Sequence, residues 1–187
     1  MTMKRMPAFI ILTVVTLVSA ALLALTDAVT RGPIQEAAIA EANNARKAVL
    51  PAAEVFSQVE APEALDSLYE GYVAEEKVGN TASITVQGYA SPIEVTVGIG
   101  IDGKLAGIQV GGSGFAETAG LGSLAQEPTF TDQFAGKSVP VSFDDVDAIS
   151  GATVTSRAVL SAVNTVAHAV GLSDEEPAVD TETGATP

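Results

Sequence analysis

The residues able to do chemistry are concentrated in one stretch, Asp147-Ala148-Ile149-Ser150-Gly151-Ala152-Thr153-Val154-Thr155-Ser156. It leads into a segment whose apolar period predicts a helix over about Thr155–Val170. Its hydroxyls therefore stand at a helix N-terminus, where backbone N–H groups and the helix dipole favour an anion such as a phosphate. The same residues equally suit a strand-to-helix turn in which Thr155 or Ser156 is an ordinary N-cap. Elsewhere reactive groups are few: the chain has no Cys, no Trp and a single His, His168. A ligand seated at this turn would have to bring its own reactivity.

Composition narrows the function classes. The chain has 187 residues, room for one domain plus appendages, and a formal net charge of −14 with only nine Lys and Arg. A basic patch for nucleic acid or anionic lipid is excluded on that balance. Without Cys there are no disulfides, iron–sulfur clusters, haem attachments or thiolate zinc sites. On the expected helix Val159, Val163, Val166 and Val170 form an apolar stripe, with Arg157, Ser161, Asn164 and His168 opposite. That places His168 in solvent, far from the helix mouth, and leaves no base for a nucleophilic Ser or Thr. Asp144, Asp145 and Asp147 lie close together, as a cation site or a solvated turn would have them.

Several elements must position that stretch. Ala8 to Leu25 reads AFIILTVVTLVSAALLAL without a charge, and at helical rise it covers roughly 27 Å, close to the hydrocarbon thickness of a bilayer. Lys4 and Arg5 precede it and Asp27 follows. The positive-inside rule then predicts a cytoplasmic N-terminus (1–7), a transmembrane helix (8–26) and an extracytoplasmic remainder. The apolar run exceeds a signal-peptide core, and no Ala-x-Ala site sits cleanly at its end. A second, juxtamembrane helix is expected over 33–50, between Pro33 and Pro51. The end of the chain, 173–187, is acidic and almost free of large apolar residues, which predicts a disordered tail.

Between them lies the soluble part, 51–172. The polar stretch Glu60–Asp66 predicts a loop; strand patterns follow at Leu68–Ala74, Ala82–Tyr89, Pro92–Ile101 and Lys104–Val110, with a hairpin turn at Asp102-Gly103. Gly98, Gly100 and Gly107 leave room for something bulky or mark bulges. The Gly-rich connection Gly111–Gly122 carries no Walker-type Lys and no dinucleotide fingerprint; it permits close approach to a ligand or is a plain mobile loop. Phe130 and Phe134 read as core anchors and Ser138–Ser142 as a short strand. The fold class is α+β, a mainly antiparallel sheet flanked by helices.

In this order, the N-terminal span, the helix after Pro33, the sheet, the loop Glu117-Thr118-Ala119-Gly120-Leu121-Gly122 and the block DAISGATVTSRAVLSAVN resemble the FMN-binding domain family. The likeness is to the G subunits of Rnf ion-translocating electron-transport complexes, with the C subunits of Na(+)-translocating NADH:quinone reductase as relatives. It covers roughly Ala8 to Val170 and rests mainly on Ser150-Gly151-Ala152-Thr153, the family's flavinylation motif, opened by Asp147. The resemblance implies that FMN is joined covalently through a phosphoester to Thr153 by a separate Mg-dependent flavin transferase that uses FAD. It implies that Thr155 donates a hydrogen bond to the phosphate and that Glu117, Thr118, Gly120, Leu121 and Gly122 form a second flavin-contacting loop. The family loop has Pro where this chain has Ala119, and often His where it has Phe115.

The function implied is an electron relay by one member of a membrane complex, an Rnf-type ion-translocating ferredoxin:NAD oxidoreductase, in company with other membrane and redox subunits. Such a protein is part of a translocase rather than a stand-alone enzyme, and the redox chemistry is the flavin's. No catalytic side chain and no metal ligand is expected, nor a nucleic-acid partner. Two alternatives stand beside it: a free-standing extracytoplasmic flavinylated electron carrier, and a module that binds a phosphate ligand non-covalently.

Overall fold

The computed structural model describes residues 8–172, so the cytoplasmic N-terminus (1–7) and the acidic tail (173–187) expected from the sequence lie outside the described residues. The chain divides after Asn43 into two compact units. The two helices expected over 8–26 and 33–50 prove to be one. Helix α1 (Ala8–Val49) runs for 42 residues with Pro33 inside it. Pro33 removes one N–H, and the Ala-rich helix formers after it carry the helix on.

An apolar window of this helix has a mean hydropathy of 2.5 and none of it is buried in protein, so α1 is long and apolar enough to cross a membrane. Its threonine hydroxyls are satisfied within the helix, as a bilayer would demand. Thr13 and Thr16 donate to the carbonyls of Phe9 and Leu12 at 2.9 and 2.8 Å, and Thr26 to that of Leu22 at 2.9 Å. Past the apolar run, Asp27 and Arg31 pair one turn apart at 2.7 Å.

The second unit is built on five antiparallel strands in sequential order: β1 (Val55–Val59), β2 (Ser67–Val73), β3 (Glu76–Gln87), β4 (Pro92–Gly100) and β5 (Leu105–Gly111). The turn at Asp102-Gly103 is present: Gly103 has φ +75°, and Gly100 N–H donates to the Lys104 carbonyl at 2.9 Å. Strand β1 escapes a sequence reading because, as a short and largely exposed edge, it shows no alternation of burial.

The two faces of the sheet are covered differently. On one, Ile93, Val95, Val97 and Ile99 alternate along β4 and are all buried. They share a core with Val159, Ala162, Val163 and Val166 of helix α3 (Thr153–Ala169) and with Phe130 and Phe134, which meet edge to face at 5.5 Å. Each fully buried Val contributes about 1.5–3 kcal/mol. The other face holds two cross-strand glycine pairs, Gly71 with Gly79 and Gly98 with Gly107. A Cβ on Gly98 would strike the backbone of Val49, and one on Gly71 would meet Leu50 at 2.7 Å and Ala53 at 2.8 Å. What the glycines make room for is thus the chain's own Val49-Leu50, 1 and 2 % exposed, at the close of α1. Arg46 lies 3.7 Å over the ring of Tyr69 beside them, and the Lys47 ammonium donates to the Ala53 carbonyl.

Short helical turns (122–126 and 132–134) flank helix α2 (Pro128–Thr131) and carry the chain from β5 toward α3. The strand expected at Ser138–Ser142 is reduced to one bridge between Lys104 and Ser138. Pro140 has no N–H to offer a ladder. The N–H and carbonyl of Val141 are taken instead by the Asn164 side chain, both at 2.8 Å. Asn164 therefore does not face solvent as the stripe pattern suggested, whereas His168 is exposed. Asp145 closes a turn, its carboxylate accepting the N–H and hydroxyl of Ser142 at 2.9 Å each. Those bonds, the backbone one first, hold its carboxyl below the usual aspartate range.

Candidate functional site

Helix α3 starts earlier than its sequence pattern suggested, with Ala152 as N-cap and Thr153 as first helical residue. The cap has no polar side chain, so no side-chain hydrogen bond closes this helix end. The first main-chain bond of the helix runs from Ser156 N–H to the Ala152 carbonyl, 3.0 Å. The amides of Thr153, Val154 and Thr155 precede it and belong to the first turn, whose N–H groups point out of a helix. Gly151 gives the turn its sharpness at φ +78°, where an added Cβ would also press on Leu121 at 3.0 Å.

This helix start forms one wall of a cavity of about 460 Å³. Gly151, Ala152, Thr153, Val154 and Thr155 line it together with Glu117, Thr118, Leu121 and Gly122 of the loop and with Tyr89. The volume suits a cofactor-sized ligand. Thr153 is exposed here, and among the described residues no hydrogen bond occupies its hydroxyl. The expected N-caps, Thr155 and Ser156, are instead wholly buried inside the first turn. Thr155 donates its hydroxyl to Glu117 Oε2 at 3.0 Å, so that hydrogen is not directed at a phosphate. Ser156 Oγ accepts the Ile149 N–H and donates to the Ala152 carbonyl, both at 3.0 Å.

Two candidate residues stand apart from this cavity. Ser150 lines a neighbouring recess of about 250 Å³ with Gln133, Asp147 and Ile149. Gly120, at φ +74°, shapes the loop from outside, its N–H donating to Ser123 Oγ at 2.9 Å. Phe115, at the position where the family often has His, packs against the core.

Sequence reasoning missed the turn between β3 and β4. Gly88 and Ser91 close it at 2.9 Å, Tyr89 projects from it 70 % exposed, and the amides of Ala90 and Ser91 donate to Glu117 Oε1 at 3.0 and 3.2 Å. The signal available was the Gly88–Ser91 spacing of a hairpin turn; its meeting with Glu117 depends on long-range folding.

The lining suits a phosphate ester carrying a flat ring. An uncapped helix start offers N–H groups and a positive dipole end to the phosphate. The lining includes no Lys or Arg, so those dipoles must do the work of charge compensation. Tyr89, Leu121 and Val154 expose apolar surface suited to a ring, at 70, 41 and 53 %.

The fold is that of an FMN-binding domain, whose family model matches residues 88–168. The chain is 36 % identical over 181 residues to the G subunit of the Na(+)-translocating ferredoxin:NAD(+) oxidoreductase complex of Acetobacterium woodii, covering 83 % of this chain and 86 % of that one. It is 33 % identical to the G subunit of the ion-translocating oxidoreductase complex of Methanosarcina acetivorans, covering 86 and 92 %. Among solved structures it is similar to the C subunit of the Na(+)-translocating NADH-quinone reductase of Parabacteroides distasonis, with 23 % identity, 56 and 60 % coverage and a TM-score of 0.47. The chain belongs to the family of G subunits of ion-translocating oxidoreductase complexes.

Proposed function

We propose that this chain is a membrane-anchored flavoprotein that relays electrons as one member of an Rnf-type ion-translocating ferredoxin:NAD oxidoreductase complex. FMN is held through a phosphoester to Thr153. The observation that carries the reading is the exposed Thr153 hydroxyl at an uncapped helix start on the wall of a cofactor-sized cavity. Family membership supports the flavin and the complex. Bound FMN would supply reversible electron uptake, chemistry that the side chains here do not have.

The roles of the chain's own residues follow from their positions. In maturation, Thr153 would supply the oxygen that takes the FMN phosphoryl group of FAD, with AMP as the leaving group and the hydroxyl proton passing to the transferase. The first-turn amides of α3 would hold the phosphate, and Tyr89, Leu121 and Val154 would limit where the ring can lie. A covalent tether retains the cofactor on a domain held outside the cell by α1.

Intact-mass measurement of the full chain, co-expressed with the flavin transferase, tests this reading. One added FMN on the wild type and none on Thr153→Val is expected. No added mass on the wild type, or its persistence in the variant, contradicts covalent attachment at this oxygen. A carrier acting without a complex would instead retain its flavin and purify free of other redox subunits.

A further inference from the structure

Glu117 is buried on the cavity wall, and its carboxylate joins three segments of that wall. Oε1 accepts the amides of Ala90 and Ser91, in the turn that bears Tyr89. Oε2 accepts the hydroxyl of Thr155, in the first turn of α3. The loop that supplies Glu117 also supplies Thr118, Leu121 and Gly122 to the cavity. A second bond fastens loop to turn, from Ala116 N–H to Ser91 Oγ at 2.8 Å.

The surrounding backbone is cut to admit the carboxylate. A Cβ on Gly88 would collide with Glu117 Oε1, and one on Gly122 with Glu117 Oε2 while standing 3.1 Å from Thr155 Oγ1. Glycines on two separate segments therefore leave space for this one group. Its three acceptor contacts use both oxygens, so it bridges wall segments rather than offering a free oxygen to a ligand.

We propose that Glu117 is the positioning residue of the flavin site. It fixes the distance between the Tyr89 turn and the start of α3, and it engages Thr155 so that, of the two threonine hydroxyls in the first turn of α3, that of Thr153 is the one left to the incoming phosphate. The proposal rests on the reading that FMN occupies this cavity. Gln at this position can keep its carbonyl toward the Ala90 and Ser91 amides and turn its NH₂ to Thr155 Oγ1, which accepts as well as donates. It preserves the bridge and removes a negative charge that opposes electron uptake nearby. Ala removes both.

The test uses the full-length chain co-expressed with the flavin transferase, reading the rate of FMN attachment, the visible circular dichroism of the attached flavin and its midpoint potential. Glu117→Ala is expected to slow attachment on the order of 100-fold, the effect of misplacing a reacting group by about 1 Å. Glu117→Gln is expected to restore attachment while raising the potential. Thr155→Val is expected to keep the flavin on Thr153 with an altered visible dichroism band. Wild-type attachment, dichroism and potential in Glu117→Ala overturn the proposal. If Glu117→Ala does not fold, a wild-type potential in Glu117→Gln together with wild-type dichroism in Thr155→Val overturns it equally. A wild type without flavin, or FMN retained by Thr153→Val, instead defeats the attachment reading, and the proposal falls with it.

Discussion

From Ser150 to Ser156 the chain places four hydroxyls, and they meet three fates. Ser150 faces a side recess, Thr155 and Ser156 are buried and bonded, and Thr153 is exposed on the cavity. Identity of residue type could not separate them, because their burial depends on where Glu117 and Ile149 arrive. Gly122 tests how tightly that arrangement is built. In Gly122→Ala the new Cβ meets the Glu117 carboxylate, and overpacking of this kind costs about 1–3 kcal/mol; a lowered urea midpoint of the full chain in detergent would register it, and an unchanged midpoint would contradict it. Away from the site, Glu70 accepts hydrogen bonds from Lys77 at 2.5 Å and Tyr72 at 2.6 Å. The Lys77 bond is the larger cause, and together they hold the Glu70 carboxyl below its ordinary value of 4.5, while the same contact raises the Tyr72 phenol above 10.0. A depressed carboxyl stabilises the fold above its unfolded value and loses that contribution as pH falls through its folded one. Lys77→Met is expected to move the Glu70 titration midpoint, followed by carboxyl NMR, up toward 4.5.

At the scale of elements, α3 is the part most legible in sequence and β1 the least. The valine stripe of α3 repeats at helical spacing and is buried on the core face, so its orientation could be read directly. Its first turn could not, since Ala152 is an unusual cap and the helix begins two residues before the expected Thr155. The strand patterns of β2 to β5 and the Asp102-Gly103 turn were legible through alternation and turn chemistry. Gly98 and Gly107 announced a space without announcing that Val49 fills it, because a missing Cβ carries no information about its neighbour. Asn164 looked like a solvent-face residue for a related reason: helical spacing cannot foresee a chain crossing that face. Here it satisfies both polar groups of the buried Val141 backbone. Asn164→Leu leaves those two groups without partners, at about 1–3 kcal/mol each. Thermal melting followed by far-UV circular dichroism is expected to shift well below the wild type, and a wild-type melt would show that the clamp is dispensable.

At the scale of the whole molecule, a long apolar helix and an acidic flavin domain divide the labour of holding and doing. With positive charges before the apolar stretch and Asp27 after it, the positive-inside rule predicts an N-terminus in the cytoplasm. Protease added to sealed right-side-out membranes is then expected to digest the domain without detergent; protection until detergent is added would reverse the topology. Membership of the G-subunit family marks the chain as a flavoprotein electron-transfer subunit, and the scarcity of ionisable residues at its cavity accords with chemistry supplied by a cofactor. Covalent attachment comes down to one oxygen. Fragmentation mass spectrometry of the peptide spanning Ser150–Ser156, taken from the flavinylated chain, is expected to place the FMN phosphate on Thr153 alone. FMN mass on Ser150 or Thr155, or a peptide carrying none, would contradict the account.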